Sequence, residues 1–313
     1  MTDLGPVQHF LGLRIQRNRT KRQILIHQTK YVDDTLLLFG LQSCNPVAIP
    51  LEPSMQLPQM DTSETDIKKL YQRMVGKLMY AMIGTRLDIV FAVATLADFS
   101  TAPSAAHLAA CKRVTRYLRG TSSHGILYGG SNQSSCIGYT DSDYAGDKNN
   151  RKPNLGYVFT LCGSAISWKS QQQKSVFLSS TEAEYVAATE ACGELLWLNR
   201  LFRDLLILIL VGQSLMSSSE SSIEQPLPPP TLYIDNQAAL SLARNPSYHR
   251  RTKHIDVRYH FIRDEVAAGT INLQQIAPKR ILQIYALRPY PRPPNSTALE
   301  WVLHCYFSST LLH

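Results

Sequence analysis

The sequence predicts an α/β protein, in which a mainly helical segment is followed by a mixed β-sheet with helices packed on it. Apolar residues between 63 and 119 recur mostly at helical spacing. From about residue 133 short strand-like segments take over, and the predicted order is β-β-β-α-β-α-α-β. With 44% hydrophobic and 18% charged residues, the chain has the composition of a globular protein with a substantial core.

The N-terminal elements are two strands, in "FLGLRIQ" and "QILIHQ", followed by a helix and a proline-bounded loop. This helix contains Tyr-Val-Asp-Asp, the tetrapeptide that marks a reverse transcriptase active site. That site requires strongly apolar strands on both sides, whereas polar residues precede the tetrapeptide here. Val32, Leu36 and Phe39 have helical spacing. We therefore interpret Asp33 and Asp34 as residues of the first turn of a helix, where carboxylates favour the macrodipole.

Two longer helices are predicted next, in "SETDIKKLYQRMVGKLMYAMIG" with a Ser/Thr/acidic cap and in "SAAHLAACKRVTRYLRG". In the second half, "SCIGYTDSDYAGD", "GYVFTL" and "SAISWKS" are predicted strands, and a long helix starts at "SSTEAEY". The strand "TLYID", the helices "NQAALSLAR" and "KHIDVRYHFIRDEVAAG", and the strand "INLQQIA" complete the sheet. Residues 212–230 are Ser-rich and then Pro-rich, which predicts a flexible insertion.

Charge and cysteine usage narrow the class of protein. A net charge of +8 favours a polyanionic partner such as nucleic acid. The six cysteines are scattered without a Cys-x-x-Cys pair, which argues against a zinc site or a disulfide framework and is typical of an intracellular protein. The longest aliphatic run, residues 205–211, is too short to span a bilayer, so no membrane association is expected.

Three acidic residues occupy positions suited to metal-assisted phosphodiester hydrolysis. Asp141 ends a predicted strand, Glu184 lies in the first turn of the long helix, and Asp235 ends a strand immediately before a helix. A two-metal nuclease needs several hard oxygen ligands on rigid elements, because its two ions lie about 4 Å apart. These carboxylates are therefore candidate ligands for two Mg²⁺ or Mn²⁺ ions.

Each carboxylate also has an ordinary structural interpretation. Asp141 and Asp143 suit a turn. Glu184 can close a capping box with Thr181, and Asp235 can cap a helix. Taken one at a time, these alternatives remain open.

Longer motifs point to a family. The segments "ISWKS", "LSSTEAEY", "YIDNQAA" and "RTKHIDVRYHFIR" resemble the RNase H domain of copia-type LTR retrotransposon Pol polyproteins, over about residues 133–276. The resemblance implies a five-stranded mixed sheet with flanking helices, and hydrolysis of the RNA strand of RNA–DNA hybrids. It also implies that Asp141, Glu184 and Asp235 are catalytic metal ligands.

The resemblance extends to the N-terminal half, which is similar to the polyprotein segment just downstream of the polymerase catalytic box. Residues 1–130 would then be the thumb and connection of a reverse transcriptase without its palm, and this segment would not polymerise. Residues 131–287 would be the RNase H-like domain and 288–313 a divergent proline-rich tail. The rest of a Pol polyprotein becomes an expected partner, in a cytoplasmic virus-like particle or the nucleus.

A basic tract near the end of this domain suits contacts with the backbone of a hybrid, although a solvated helix face is the ordinary alternative. Its members are Arg244, Arg250, Arg251, Lys253, Arg258 and Arg263.

The sequence departs from the family at the fourth metal-binding carboxylate, which relatives supply in a segment resembling "QLADIFTKPL". The aligned position is Ile284, and no Asp or Glu occurs between Glu265 and Glu300. A one-base frameshift near codon 281 would explain both this loss and the tail. We therefore expect weak or no cleavage. A non-catalytic nucleic-acid-binding remnant is the alternative, and an inert relic with exposed apolar surface in residues 1–130 is a third possibility.

Overall fold

The computed structural model describes residues 5–52, 55, 57–58, 64–129, 135–143, 153–173, 179–214, 229–244 and 256–276. Within these ranges, the side chains of 143, 207–214 and 256–260 are not described. The predicted tail, Ile284 and most of the predicted insertion lie outside the described residues.

The N-terminal strands belong to an antiparallel sheet. The sheet has the order β1-β2-β3-β4, with strands at His9–Phe10, Leu13–Asn18, Gln23–His27 and Gly125–Tyr128. The two predicted strands are confirmed as β2 and β3. The strand β4 was not predicted, since it returns from far along the chain to pair with β3.

Four helices pack into one apolar core beside this sheet. They are α1 at Thr29–Leu38, α2 at Thr65–Gly84, α3 at Val90–Ala97 and α4 at Ala105–Gly120. Ser104 caps α4 in a capping box with His107. The expected cap of α2 is wrong, because its N-cap residue Glu64 makes no side-chain capping hydrogen bond.

The Tyr-Val-Asp-Asp tetrapeptide lies in α1, as predicted. Val32 and Leu36 are 1% and 4% exposed and pack into the helical core, while Asp33 and Asp34 face solvent. Asp34 lies 3.7 Å from Lys30, one helical turn away. The expectation that Asp33 and Asp34 lie in the first turn of the helix is wrong by one turn, because α1 begins at Thr29 and no acidic residue falls in its first turn.

The second sheet contains five strands in the order β7-β6-β5-β8-β9. The strands β5, β6 and β7 pair in antiparallel fashion, β8 pairs in parallel with β5, and β9 pairs in parallel with β8. This arrangement confirms the predicted mixed five-stranded sheet. Its strands are Ile137–Asp143, Asn154–Leu161, Ser164–Gln172, Thr231–Ile234 and Asn272–Gln275.

Three helices accompany the second sheet and confirm the predicted element order. They are α5 at Ser180–Ser214, α6 at Gln237–Arg244 and α7 at Asp256–Ala267. Residues from the three helices and the sheet share one buried cluster, which includes Phe159 and Leu195. The predicted start of the insertion is wrong by three residues, because α5 continues through residue 214.

The two halves contact each other along β7. Trp168 on β7 donates its indole N–H to the carbonyl of Met82 at 3.0 Å, and the Tyr128 hydroxyl donates to the carbonyl of Ala165 at 2.6 Å. A small buried cluster that includes Val90 and Ala165 lies in the same region. The predicted boundary at 130/131 lies outside the described residues and stays a prediction.

The first half leaves many large apolar side chains exposed, as expected. They are Val7, Phe10, Leu11, Ile24, Leu37, Leu38, Leu70, Met79, Tyr80 and Ile83. Among the described residues, no helix combines the length and apolar character needed to cross a bilayer.

Candidate metal centre

Parallel pairing of β5 with β8 places two of the candidate carboxylates at one edge of the sheet. Thr140 and Ile234 are register partners in these strands. The residues that follow them are Asp141, which lies inside β5 near its carboxyl end, and Asp235, which comes immediately after β8. Because parallel strands end at the same edge, the two acidic residues become neighbours.

The third carboxylate comes from α5. This helix packs against β5, and its residues Ala183, Tyr185 and Val186 are buried in the sheet-side core. That packing fixes Glu184, which lies between them. The expected position in the first turn was slightly wrong, since the helix begins at Ser180 and Glu182 is its first-turn acidic residue.

The three carboxylates converge. One oxygen from each of Asp141, Glu184 and Asp235 lies within 4.8 Å of the other two. Asp141 and Glu184 are only 3% and 5% exposed. Buried like charges this close repel strongly, so the arrangement is costly unless a cation or protons compensate.

The ordinary interpretations of these residues are wrong. Asp141 lies inside β5 rather than in a turn. At the start of α5 the capping side chain is Ser179, whose Oγ accepts from the Glu182 N–H at 3.3 Å. The N-cap of α6 is Asn236, whose Oδ1 accepts from the Ala239 N–H at 3.0 Å. Capping therefore does not account for Glu184 or Asp235.

The local electrostatics favour protonation in the absence of a cation. Burial raises the pKa of Glu184 well above its ordinary value, and the nearby Asp141 and Asp235 carboxylates raise it further. The backbone N–H of Ser142 partly opposes this rise. Burial also raises the pKa of Asp235, and hydrogen bonds from the backbone N–H groups of Asp235 and Asn236 partly oppose this rise.

Two carboxylate oxygens of the cluster have no hydrogen-bond donor among the described residues, which indicates whether the cluster fits a cation. Glu184 Oε2 and Asp235 Oδ1 are buried and have no hydrogen-bond partner within the described ranges. A buried carboxylate oxygen without a donor is costly, and a hard divalent cation is a ligand that satisfies several such oxygens together. The three side chains therefore fit Mg²⁺ or Mn²⁺.

Sequence reasoning missed Ser142 as part of this site. Its backbone N–H donates to Asp141 Oδ1 at 2.8 Å and also lowers the pKa of Glu184. A backbone donor carries no residue-type signal, so only the strand position next to Asp141 could have suggested it.

The predicted basic tract is described only in part. Arg244 ends α6, where its Nη2 donates to the Leu273 carbonyl at 2.5 Å, so part of its guanidinium is engaged in the fold. Arg263 in α7 is partly buried, and its Nε has no partner among the described residues. Arg258 lies in α7 without a described side chain. Arg250, Arg251 and Lys253 lie outside the described residues.

Fold and site together define an α/β protein with a mixed five-stranded sheet and an acidic cluster at the end of its parallel strands. Comparison with known proteins adds the family. The chain is 41% identical over 283 residues to the retrovirus-related Pol polyprotein from transposon TNT 1-94 of Nicotiana tabacum, which covers 88% of this chain. It is 34% identical over 275 residues to the corresponding polyprotein from transposon RE1 of Arabidopsis thaliana, again over 88% of this chain.

The chain therefore belongs to the retrovirus-related Pol polyproteins of copia-type transposons, which confirms the resemblance of its motifs. It spans 20% of the TNT 1-94 polyprotein and 17% of the RE1 polyprotein. An uncharacterized mitochondrial protein of Arabidopsis thaliana is 34% identical over 197 residues, which are 63% of this chain and 80% of that protein. No protein-family model matches the sequence.

Proposed function

We propose that residues 131–287 form an RNase H-like domain of a retrotransposon Pol protein, whose substrate is the RNA strand of an RNA–DNA hybrid. The observation that carries the proposal is the convergence of Asp141, Glu184 and Asp235 within 4.8 Å. Asp141 lies near the carboxyl end of β5, Asp235 follows the parallel strand β8, and Glu184 lies on a buried part of α5. This gives the rigid support that a two-metal site needs.

Asp141, Glu184 and Asp235 would hold the cations, and Mg²⁺ or Mn²⁺ suits their hard oxygens. Two bound ions would supply activation of the attacking water and stabilisation of the leaving 3′ oxygen. The protein's own contribution is positional, since the ordered strands fix two carboxylates and α5 fixes the third. The Ser142 N–H orients Asp141 Oδ1.

The proposed partner is a polyanion. The net charge of +8 favours association with nucleic acid. The basic tract supplies positively charged side chains after β8. In Arg244, one guanidinium N–H already donates to the Leu273 carbonyl. We assign hybrid contact to the tract as a whole. The remainder of a Pol polyprotein, inside the cell in a virus-like particle or the nucleus, is the proposed setting.

We also propose that cleavage by this chain is weak or lost. Among the residues that the structure describes, three carboxylates form the cluster, whereas the family resemblance implies four. The sequence has no Asp or Glu between Glu265 and Glu300, and the aligned position holds Ile284. Loss of one ligand lowers both cation affinity and the charge that holds the second ion.

A non-catalytic nucleic-acid-binding remnant is the second candidate function. The absence of an acidic residue at Ile284 favours it. It predicts hybrid binding that does not depend on Asp141, Glu184 or Asp235, because the basic tract alone would carry the affinity.

A cleavage assay separates the two candidates. The full chain is incubated with a labelled RNA–DNA hybrid in Mg²⁺ and in Mn²⁺, beside the variants Asp235→Asn and Ile284→Asp. The proposal predicts weak or undetectable cleavage by the unmodified chain, a clear gain in Ile284→Asp, and none in Asp235→Asn. Cleavage that persists in Asp235→Asn contradicts the assigned site. No cleavage by any form, together with hybrid binding, supports the remnant.

A further inference from the structure

A buried glutamine lies directly behind the acidic cluster. Gln173 follows β7 and is 4% exposed. Its side-chain Nε2 donates to Ser142 Oγ at 3.2 Å and to the carbonyl of Ala183 at 3.1 Å. Its backbone N–H donates to the carbonyl of Pro153 at 2.8 Å, which fixes the start of β6 beside it.

The two side-chain contacts of Gln173 fall next to two of the carboxylates. Ser142 follows Asp141 in β5, and Ala183 precedes Glu184 in α5. One amide group therefore connects the strand and the helix that carry these two acidic side chains. The Ser142 N–H extends the connection to the carboxylate itself, because it donates to Asp141 Oδ1 at 2.8 Å.

Such a connection has a specific use at this site. Asp141 and Glu184 repel each other when ionised, and that repulsion tends to separate the strand end from the helix. Two hydrogen bonds from one rigidly held amide oppose the separation. Metal affinity depends steeply on ligand spacing, and partners behind the ligands maintain that spacing.

Stability alone does not account for this glutamine. Its Oε1 is buried and has no donor within the part of the chain that the structure describes. The cost of an unsatisfied buried acceptor offsets much of what two neutral hydrogen bonds contribute. An apolar side chain of the same length would avoid that cost.

We propose that Gln173 is a positioning residue, which holds Asp141 and Glu184 at the separation that a divalent cation requires. The inference rests on the proposed cation site and adds a residue that does not itself touch the ion. It assigns the effect to the contacts with Ser142 and Ala183.

The test compares two buried glutamines. Gln173→Met keeps the length of the side chain and removes both donors. The matched control is Gln28→Met in the first half, since Gln28 is 2% exposed and also links two elements. Its Nε2 donates to the Tyr80 carbonyl at 3.4 Å, and its Oε1 accepts from the Thr85 hydroxyl at 2.8 Å. Mn²⁺ affinity of the full chain is measured by calorimetry, and stability of the cation-free chain by urea unfolding.

We expect Gln173→Met to weaken Mn²⁺ binding about 10- to 100-fold, the range typical of residues that support metal ligands. Gln28→Met should leave the affinity unchanged while lowering stability. Ser142→Ala should weaken binding as well, and its effect should not add to that of Gln173→Met, because Gln173→Met already removes the contact with the Ser142 hydroxyl.

Two results overturn the inference and are distinguishable. If Asp235→Asn abolishes Mn²⁺ binding but Gln173→Met leaves it unchanged, the cation site stands and the positioning role is wrong. If the unmodified chain binds no Mn²⁺, the proposed site fails and the role of Gln173 fails with it.

Discussion

Glu184 on α5 and Asp235 after β8 each bury one carboxylate oxygen that has no hydrogen-bond partner among the described residues, Oε2 and Oδ1 respectively. The two oxygens belong to a cluster in which Asp141 is the third member. Burial raises the pKa of both groups. A fold that maintains three such groups is less stable without a cation than the same fold with one of them neutralised.

Glu184→Gln should stabilise the cation-free chain. Neutralising this side chain removes repulsion with Asp141 and Asp235, and functional sites commonly give such gains of about 0.5–2 kcal/mol. Urea unfolding at pH 7 in a chelator measures the change. The same variant should lose the stabilisation that added Mg²⁺ gives the unmodified chain. If Glu184→Gln were less stable than the unmodified chain and were still stabilised by Mg²⁺, the assignment of Glu184 to the cation site would be contradicted.

The pH dependence of stability should carry the signature of Glu184. Its pKa is raised in the folded chain above the ordinary value of 4.5, so the folded state binds more protons than the unfolded state above that pH. Stability of the cation-free chain should therefore fall as pH rises from about 4.5 through the raised pKa. The free energy of unfolding is measured against pH for the unmodified chain and for Glu184→Gln, and the difference between the two curves isolates the contribution of Glu184. If the unmodified chain became more stable relative to the variant as pH rises, the raised pKa of Glu184 would be contradicted.

The buried ion pair of Arg86 and Asp88 should be essential to the first half. Arg86 Nε and Nη2 donate to the two oxygens of Asp88 at 2.9 and 2.6 Å, and the side chains are 1% and 5% exposed. Asp88→Asn leaves a buried guanidinium without its counter-charge, and we expect a loss of about 3–5 kcal/mol in urea unfolding. Asp34→Asn is the control, because the exposed Lys30–Asp34 pair should contribute less than about 0.5 kcal/mol.

Gly138, the second residue of β5, should not tolerate a methyl group. A Cβ there would lie 2.9 Å from Leu232 Cδ1 and closer still to the ring of Phe159. We expect Gly138→Ala to cost about 1–3 kcal/mol through overpacking. Gly193→Ala on α5 provides the contrast, because a Cβ at this position would have no atom within 4 Å. Since alanine has a higher helix propensity than glycine, this substitution should raise thermal stability. Equal effects of the two substitutions would contradict the packing described around β5.

The elements of the second half were predictable from sequence because their signals are local. The strand "TLYID" and the helix "NQAALSLAR" each carry their own period and boundary residues. The positions of Asp141 and Asp235 were predictable because each lies close to the carboxyl end of such a strand, and the ends of parallel strands share an edge. Capping was harder to predict, since Ser179 is followed by Ser180 and Thr181 and Asn236 is preceded by Asp235, and these residue types also cap helices.

Contacts between distant segments left no such signal. The strand β4 pairs with β3 across most of the first half, and its register depends on the packing of four helices. Gln173 is one of three consecutive glutamines, and composition does not distinguish the one whose amide reaches Ser142 and Ala183. The pairing of Arg86 with Asp88 likewise becomes visible only once both are buried.

Counting bound Mn²⁺ by electron paramagnetic resonance tests the cation site most directly. The full chain is titrated beside the double variant Asp141→Asn/Asp235→Asn, with circular dichroism to establish that both are folded. The proposed site predicts Mn²⁺ bound by the unmodified chain, displaced by Mg²⁺ and lost in the variant. No binding to the unmodified chain, or equal binding to a folded variant, would contradict it.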